Sequence, residues 1–101
     1  MSIRLVAIDL DDTLLDPGLQ ISLRCRRAIE SVRAKGVLVT LATGRMFRSA
    51  LPYALQLHMD IPLITYQGAL VKNSHSGEVL YYQALPRETA ADLIIYFKKA
   101  G

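Results

Sequence analysis

The chain has 101 residues, of which 51% are hydrophobic and 21% are charged, and its net charge is +3 at pH 7. This length fits one domain at most, and the apolar content excludes a disordered chain. Cys25 is the only cysteine, which excludes a disulfide-stapled fold. No apolar run reaches the roughly 20 residues that a bilayer requires, and the first residues lack a signal-peptide core. We therefore expect a cytoplasmic protein with no membrane contact.

The basic side chains do not form the pattern of a nucleic-acid surface. Four arginines share one predicted helix, at Arg24, Arg26, Arg27 and Arg33. A nucleic-acid surface combines clustered basic residues with aromatic ones, and this helix has no aromatic residue. We interpret these arginines as a solvated helix face and expect no nucleic-acid partner.

The first predicted elements are a strand and a helix. Residues 3–8 form a short apolar run, typical of a strand buried on both faces of a parallel sheet. The helix has Ser22 as its N-cap, and Gly36 ends it. Its apolar face is predicted to consist of Ile21, Cys25, Ala28, Ile29 and Val32.

The alternation of strands and helices continues in the middle of the chain. We predict a strand over residues 37–42, a helix over residues 46–58 and a third strand over residues 62–66. Pro52 lies inside the helix, where it predicts a kink or a false start. The order β-α-β-α-β indicates a parallel sheet with right-handed crossovers.

The last third of the chain breaks this alternation. A predicted hairpin has its loop at residues 73–77, and a predicted helix over residues 86–99 follows it. We therefore predict an α/β fold in two parts. Residues 1–68 are a partial Rossmann-like core, and residues 69–101 are the start of an α/β cap. On this interpretation the chain is the front part of a larger protein.

Two carboxylates, Asp9 and Asp11, follow the first predicted strand directly. Residues i and i+2 of an extended chain project to one side, so these groups repel each other unless a cation lies between them. Mg²⁺ is suited to such a place, because it takes one or two carboxylates, waters and a phosphate oxygen. One carboxylate can then attack a phosphorus while the other handles the proton of the leaving oxygen. If this pair were the only signal, the favoured interpretation would be that Asp9 and Asp11 are turn and cap residues with no catalytic role.

A second polar loop, Thr43, Gly44 and Arg45, follows the second strand. Ligands of parallel α/β sheets bind beyond the carboxyl ends of the strands. Thr43 offers a hydroxyl donor, and Gly44 lets the backbone approach a ligand closely. The helix that follows has free N–H groups suited to a phosphate. Arg45 either adds a cation there or points to solvent.

These two loops resemble those of a known family. The segment IDLDDTL at residues 8–14 resembles the first signature of the haloacid dehalogenase-like superfamily. The segment LATGR at residues 41–45 resembles its second signature, in the form typical of the Cof-type branch. In that branch the third strand leads into an α/β cap through N-G-A, where this chain has Gln67, Gly68 and Ala69. The resemblance extends over essentially the whole chain.

The resemblance implies a Mg²⁺-dependent phosphomonoester hydrolase that acts on small phosphorylated metabolites through an aspartyl-phosphate. It implies that Asp9 is the nucleophile and a metal ligand. Asp11 would be the general acid/base, with its backbone carbonyl on the metal. The Leu10 amide, Thr43 and Gly44 would hold the phosphoryl oxygens. The phosphate-binding Lys and later acidic metal ligands of the superfamily would lie beyond residue 101.

Two other functions were weighed against this one. In the first, the chain is a truncated, non-catalytic relative that binds phosphate or Mg²⁺ or acts by association. Its exposed sheet edge would then favour self-association or pairing with a missing C-terminal half. In the second, the chain is a phospho-receiver domain. This is disfavoured, because the acceptor Asp of a receiver ends the third strand, where this chain has Tyr66 and Gln67.

Overall fold

The structure is a computed structural model that describes residues 2–100 as a mixed α/β fold. The elements in chain order are β1 (Leu5–Ile8), α1 (Leu23–Ala34), β2 (Leu38–Leu41), α2 (Phe47–Gln56), β3 (Pro62–Thr65), β4 (Leu70–Asn73), β5 (Val79–Tyr82) and α3 (Arg87–Ala100). The predicted fold class and element order are confirmed, although the strands of the first half are slightly shorter than predicted. None of the helices in the described range is long and apolar enough to cross a bilayer.

The first three strands run in the same direction. β1 pairs in parallel with β2, with Leu5 opposite Leu38 and Ile8 opposite Leu41. A parallel bridge between Ala42 and Ile64 places β3 on the other side of β2. The carboxyl ends of all three strands therefore lie at one edge of the sheet, where α/β proteins bind their ligands.

The predicted hairpin continues this arrangement beside β3. β4 pairs antiparallel with β3, from Pro62 opposite Asn73 to Thr65 opposite Leu70. β5 pairs antiparallel with β4, and α3 follows with largely exposed side chains. The division into a core at residues 1–68 and a cap from residue 69 onward stays a prediction.

The core lies between the sheet and the first two helices. Buried side chains come from β2, β3, α1, α2 and the loop after β1, and they include Leu10, Val39, Leu41, Ile29, Ala50, Ala54 and Leu63. The prediction that the first strand is buried on both faces is wrong. Leu5 is 54% exposed and Ala7 is also exposed, because nothing within residues 2–100 covers that face of β1.

Both predicted ends of α1 are confirmed. The Ser22 hydroxyl accepts a hydrogen bond from the Cys25 amide at 3.1 Å, which satisfies one of the free donors of the first turn. Gly36 has φ +83°, a left-handed conformation that glycine adopts without steric cost. The apolar face is narrower than predicted, since Ile29 is buried but Ala28 is exposed.

Ser22→Ala tests the contribution of this cap. We expect the free energy of unfolding to fall by about 1 kcal/mol, because the Cys25 amide loses its acceptor. Urea unfolding measures the change. Ser31→Ala is the matched control, because Ser31 lies exposed within α1 and alanine favours a helix interior. Equal stabilities of the two variants would contradict the capping role.

Pro52 does not end α2, so the expectation of a false start is wrong, whereas the expected kink stays a prediction. The helix runs from Phe47 to Gln56 with Pro52 inside it. Proline removes the donor for the carbonyl four residues earlier, which belongs to Arg48. Both Pro52 and Arg48 are exposed, so water can satisfy that carbonyl.

Candidate active site

The two predicted polar loops lie side by side at the carboxyl edge of the sheet. Ile8 is opposite Leu41, and the Ala42 amide donates to the Ile8 carbonyl at 2.9 Å. Asp9 and Thr43 come directly after these paired residues. The sheet register thus brings together the loops that sequence analysis treated as one site.

The loop after β1 closes as one wide turn. The Leu14 amide donates to the Asp9 carbonyl at 3.3 Å, and the Leu15 amide donates to the Leu10 carbonyl at 2.9 Å. Leu10 is fully buried and Leu14 is 5% exposed, so both anchor the loop in the core. Asp12 is exposed and has φ +61°, a conformation that aspartate tolerates. Hydrophobic anchoring therefore leaves the loop's polar groups at the surface.

Asp9 has an exposed side chain at the end of β1. One oxygen of its carboxylate, Oδ1, accepts a hydrogen bond from the Leu10 amide at 2.9 Å. The amide that was predicted to hold a phosphoryl oxygen therefore orients the predicted nucleophile in this structure. Oδ2 has no hydrogen-bond partner within residues 2–100.

Asp11 forms a two-point ion pair with Arg45. Arg45 Nη2 donates to Asp11 Oδ1 at 2.7 Å, and Nε donates to Oδ2 at 2.9 Å. Arg45 Nη1 also donates to the Ser49 hydroxyl at 3.1 Å, and the guanidinium carbon lies 5.4 Å from the centre of the Tyr53 ring. Of the two directions that the sequence allows for Arg45, the side chain takes the one toward Asp11.

The hydrogen bond from Arg45 lowers the pKa of the Asp11 carboxyl below its usual value of 3.8, and the burial of the group opposes this shift. The same contact raises the pKa of Arg45. Because the shift favours ionised Asp11 in the folded chain, the pair stabilises the fold above the usual carboxyl pKa. That stability is lost as the pH falls through the lowered pKa of Asp11.

This linkage gives a testable pH dependence. At neutral pH we expect Arg45→Gln to be less stable than the unsubstituted protein, by a small amount because Asp11 is half-exposed. The difference should shrink at acid pH, where Asp11 is protonated in both proteins and only the contacts of Arg45 with Ser49 and Tyr53 remain. Urea unfolding at neutral and acid pH measures it, with exposed Arg48→Gln as the control. A difference that persists unchanged at acid pH would contradict the ion pair.

Thr43 is buried beneath the site, with 5% of its surface exposed. Its hydroxyl accepts a hydrogen bond from the Arg45 amide at 3.0 Å, which leaves the hydroxyl proton free for donation. The Thr43 carbonyl accepts from the Gln67 amide at 3.1 Å, and the Arg45 carbonyl accepts from the Tyr66 amide at 2.9 Å. The turn after β3 therefore fixes the backbone of the second loop.

That turn was not identified as part of the site from sequence. Tyr66, predicted as a sheet residue, lies in the turn and is 44% exposed, and Tyr66 and Gln67 have φ +51° and +56°. The Gln67 side-chain amide lies against Gly44, and a β-carbon at position 44 would collide with it. Glycine at position 44 thus makes room for Gln67. The N-G-A alignment was the signal that pointed to this position.

Other polar residues of these loops have structural roles. The Asp16 carboxylate accepts hydrogen bonds from the Gly18 and Gln20 amides, both at 2.9 Å, and so stabilises the turn that follows it. His58 and His75 are exposed. His58 follows α2 and His75 lies between β4 and β5, so neither belongs to the two polar loops.

The oxygen donors at this edge have the chemistry that a hard cation requires, but they are few. Asp9 offers a free carboxylate oxygen, whereas both oxygens of Asp11 are bonded to Arg45. Across residues 2–100 no three or more His, Cys, Asp or Glu side chains are grouped so as to hold a metal ion. The donor set present therefore fits part of a Mg²⁺ coordination shell, which takes six oxygen ligands, including waters.

The sequence of the chain is similar to those of known proteins. A family model described as haloacid dehalogenase-like hydrolase matches residues 6–101. An HMP-PP phosphatase of Shigella flexneri is 34% identical over 93 residues, which cover 92% of this chain and 34% of that protein. A pyridoxal phosphate phosphatase of Escherichia coli is 31% identical over 94 residues, covering 93% of this chain and 35% of that protein.

A solved structure shows the same likeness in three dimensions. A haloacid dehalogenase-like hydrolase from Bacteroides thetaiotaomicron superposes with a TM-score of 0.85 at 29% identity. The superposition covers 97% of this chain and 38% of that one. The chain spans about a third of the length of the curated relatives described above.

Proposed function

The chain belongs to the haloacid dehalogenase-like hydrolase family, and we propose that this protein is a Mg²⁺-dependent phosphatase of small phosphorylated metabolites. Membership of the family confirms the resemblance found in the sequence. The two relatives compared above are phosphatases by name, of HMP-PP and of pyridoxal phosphate. Their names support a phosphorylated small molecule as the substrate class.

One structural observation carries the proposal. The loop after β1 and the loop after β2 are joined by the contact between Asp11 and Arg45, at 2.7 Å and 2.9 Å. Asp9, Thr43 and Gly44 belong to the same two loops, at one edge of the sheet. A nucleophile, an acid/base and a phosphate-binding backbone are the groups that phosphoryl transfer requires.

Asp9 is the proposed nucleophile. Its carboxylate is exposed, and Oδ2 has no hydrogen-bond partner within residues 2–100, so this oxygen is available to attack phosphorus. In the proposed first step Asp9 Oδ2 bonds to the phosphorus, and the bond from phosphorus to the leaving oxygen breaks. In the second step water attacks the phosphorus and restores the Asp9 carboxylate, releasing inorganic phosphate.

Asp11 is the proposed general acid/base. It gives a proton to the leaving oxygen in the first step and takes one from the attacking water in the second. The contact with Arg45 favours the ionised form of Asp11, which is the form needed as base. Each Asp11 oxygen has a second lone pair beside the one that Arg45 occupies, and the proton of the first step is carried on one of these.

The second loop is proposed to bind the phosphoryl group. The Thr43 hydroxyl keeps a proton for donation, and Gly44 has no side chain to keep a ligand from its backbone. Gln67 lies against Gly44, so its amide has to move aside or become a ligand contact when phosphate binds. The Leu10 amide would exchange Asp9 for a phosphoryl oxygen.

The family supports a metal cofactor in general, and Mg²⁺ is our proposal for its identity. Asp9 through its carboxylate and Asp11 through its backbone carbonyl would hold it. Bound Mg²⁺ supplies charge neutralisation at the phosphoryl oxygens and at the Asp9 carboxylate. Within residues 2–100 no three or more His, Cys, Asp or Glu side chains are grouped to hold a metal ion, so phosphate oxygens are expected to contribute to Mg²⁺ binding.

Metal binding gives a direct test of this donor set. We expect Mg²⁺ to bind these 101 residues weakly and to bind more tightly when inorganic phosphate is present, because phosphate adds oxygen ligands to the few that residues 2–100 offer. Calorimetric titration with and without phosphate measures both affinities. Asp9→Ala should abolish the phosphate-dependent gain, whereas the control Asp12→Ala should keep it. Tight binding that needs neither phosphate nor Asp9 would contradict the assignment.

The proposed activity is tested by assaying the full-length protein. We expect release of inorganic phosphate from small phosphomonoesters, and its loss when EDTA removes divalent cations. A protein that binds Mg²⁺ and phosphate without turnover would favour the non-catalytic alternative.

A further inference from the structure

Arg45 is held at several points around the site. Its guanidinium donates twice to Asp11 and once to the Ser49 hydroxyl, and it stacks on the Tyr53 ring. Its own backbone is tied on both sides, by the Thr43 hydroxyl and by the Tyr66 amide. The Arg45 side chain is 22% exposed, so most of it is withdrawn from solvent.

We propose that Arg45 is a positioning residue that fixes the Asp11 carboxylate through their two-point contact, an inference that rests on the proposed function. Two parallel hydrogen bonds from a planar guanidinium set both the place and the plane of a carboxylate. A single-point contact, as from a lysine, would leave that plane free to rotate. The orientation of Asp11 therefore depends on Arg45.

The contact also joins two separate segments of the chain. Asp11 is in the loop after β1, and Arg45 lies two residues before the start of α2. A second hydrogen bond joins the same two segments, since the Tyr53 hydroxyl of α2 donates to the Leu19 carbonyl at 3.2 Å. The residue that holds Asp11 thus lies just before α2, and the ring that supports Arg45 lies within α2.

The charge of Arg45 is committed to Asp11 and not presented to substrate. Nε and Nη2 face the two Asp11 oxygens, and Nη1 faces Ser49. Arg45 should therefore affect the proton transfer that Asp11 carries out, and should affect phosphate binding only weakly. Its removal should matter most for substrates whose leaving group needs that proton.

The experiment compares two substrates in the full-length protein. An alkyl phosphomonoester has a basic leaving oxygen and requires a general acid, whereas p-nitrophenyl phosphate leaves as a stable phenolate. For Arg45→Lys we expect kcat to fall about 10²-fold with the alkyl substrate and less than about tenfold with p-nitrophenyl phosphate. KM should change little. The matched control is Arg48→Lys, which alters an exposed arginine in the first turn of α2.

A double variant separates positioning from an independent role. If Arg45 acts through Asp11, then Arg45→Lys should cost almost nothing further in a protein that already carries Asp11→Asn. Equal losses on the two substrates, a mainly raised KM, or a loss that adds to that of Asp11→Asn would overturn the proposal. Retained turnover in Asp9→Asn would instead overturn the proposed function, which keeps the two failures distinct.

NMR provides a readout that does not depend on turnover. We expect the Arg45 Nε–H to exchange slowly with solvent, and to exchange rapidly in Asp11→Ala, where the acceptor oxygens are absent. The Arg48 Nε–H, on an exposed side chain, is the internal reference. Exchange at Arg45 as fast as at Arg48 would overturn the proposal even if the enzyme is fully active.

Discussion

Asp9→Asn should abolish phosphomonoester hydrolysis, lowering kcat by at least about 10⁴-fold in the full-length protein, as expected for the loss of a nucleophile. The neutral amide of asparagine lacks the negatively charged oxygen that attacks phosphorus. The fold should be unaffected, because the Asp9 side chain is exposed at the end of β1 and its one contact is to the adjacent Leu10 amide. An asparagine oxygen can still accept that hydrogen bond. Steady-state kinetics and urea unfolding measure the two effects.

Asp12→Asn is the matched control for this substitution. Asp12 lies in the same turn and is exposed, and its left-handed φ of +61° suits asparagine as well as aspartate. It should keep nearly full activity. Substantial turnover in Asp9→Asn, or an equal loss in Asp12→Asn, would remove Asp9 from the nucleophilic role.

Asp11→Asn is expected to have the second largest effect, a fall in kcat of about 10²- to 10⁴-fold, the range for a general acid/base. The loss should be largest for alkyl phosphates, because their leaving oxygen must be protonated. Phosphoryl transfer from p-nitrophenyl phosphate to Asp9 should be slowed less, because this leaving group needs no proton. Hydrolysis of the aspartyl-phosphate then becomes the rate-limiting step with this substrate. Burst kinetics with that substrate measure the balance between the two steps.

This prediction has a structural control as well. Asp11→Asn also breaks the ion pair with Arg45, so a loss caused by a displaced loop has to be separated from a loss of proton transfer. Arg45→Gln breaks the same pair and keeps the carboxyl. If the two variants lose activity equally with both substrates, then Asp11 has no role in proton transfer.

The positions of the strands and of the two polar loops could be predicted because they depend on local patterns. An apolar run followed by Asp9 and Asp11 indicates a strand that ends at the surface, and Thr43 follows the next strand in the same way. Parallel pairing then brings these ends together. The ends of α1 were predictable for the same reason, since Ser22 and Gly36 act on their immediate neighbours.

What could not be predicted depends on contacts distant in sequence. Asp11 and Arg45 are 34 residues apart, and no local pattern fixes the direction of a long arginine side chain. The contact of Gln67 with Gly44 likewise depends on the turn after β3. The burial of β1 was overestimated for a related reason. An apolar sequence shows that a strand can be buried, but whether Leu5 is buried depends on which other elements pack against it.

The most direct test of the central claim is to trap the phosphorylated residue. The full-length protein is mixed with p-nitrophenyl phosphate, quenched in acid and reduced with borohydride, which converts an aspartyl-phosphate to homoserine. Mass spectrometry then locates the reduced residue. We predict reduction at Asp9 alone, and none in Asp9→Asn. Reduction at another residue, or none at Asp9 in a fully active protein, would contradict the account.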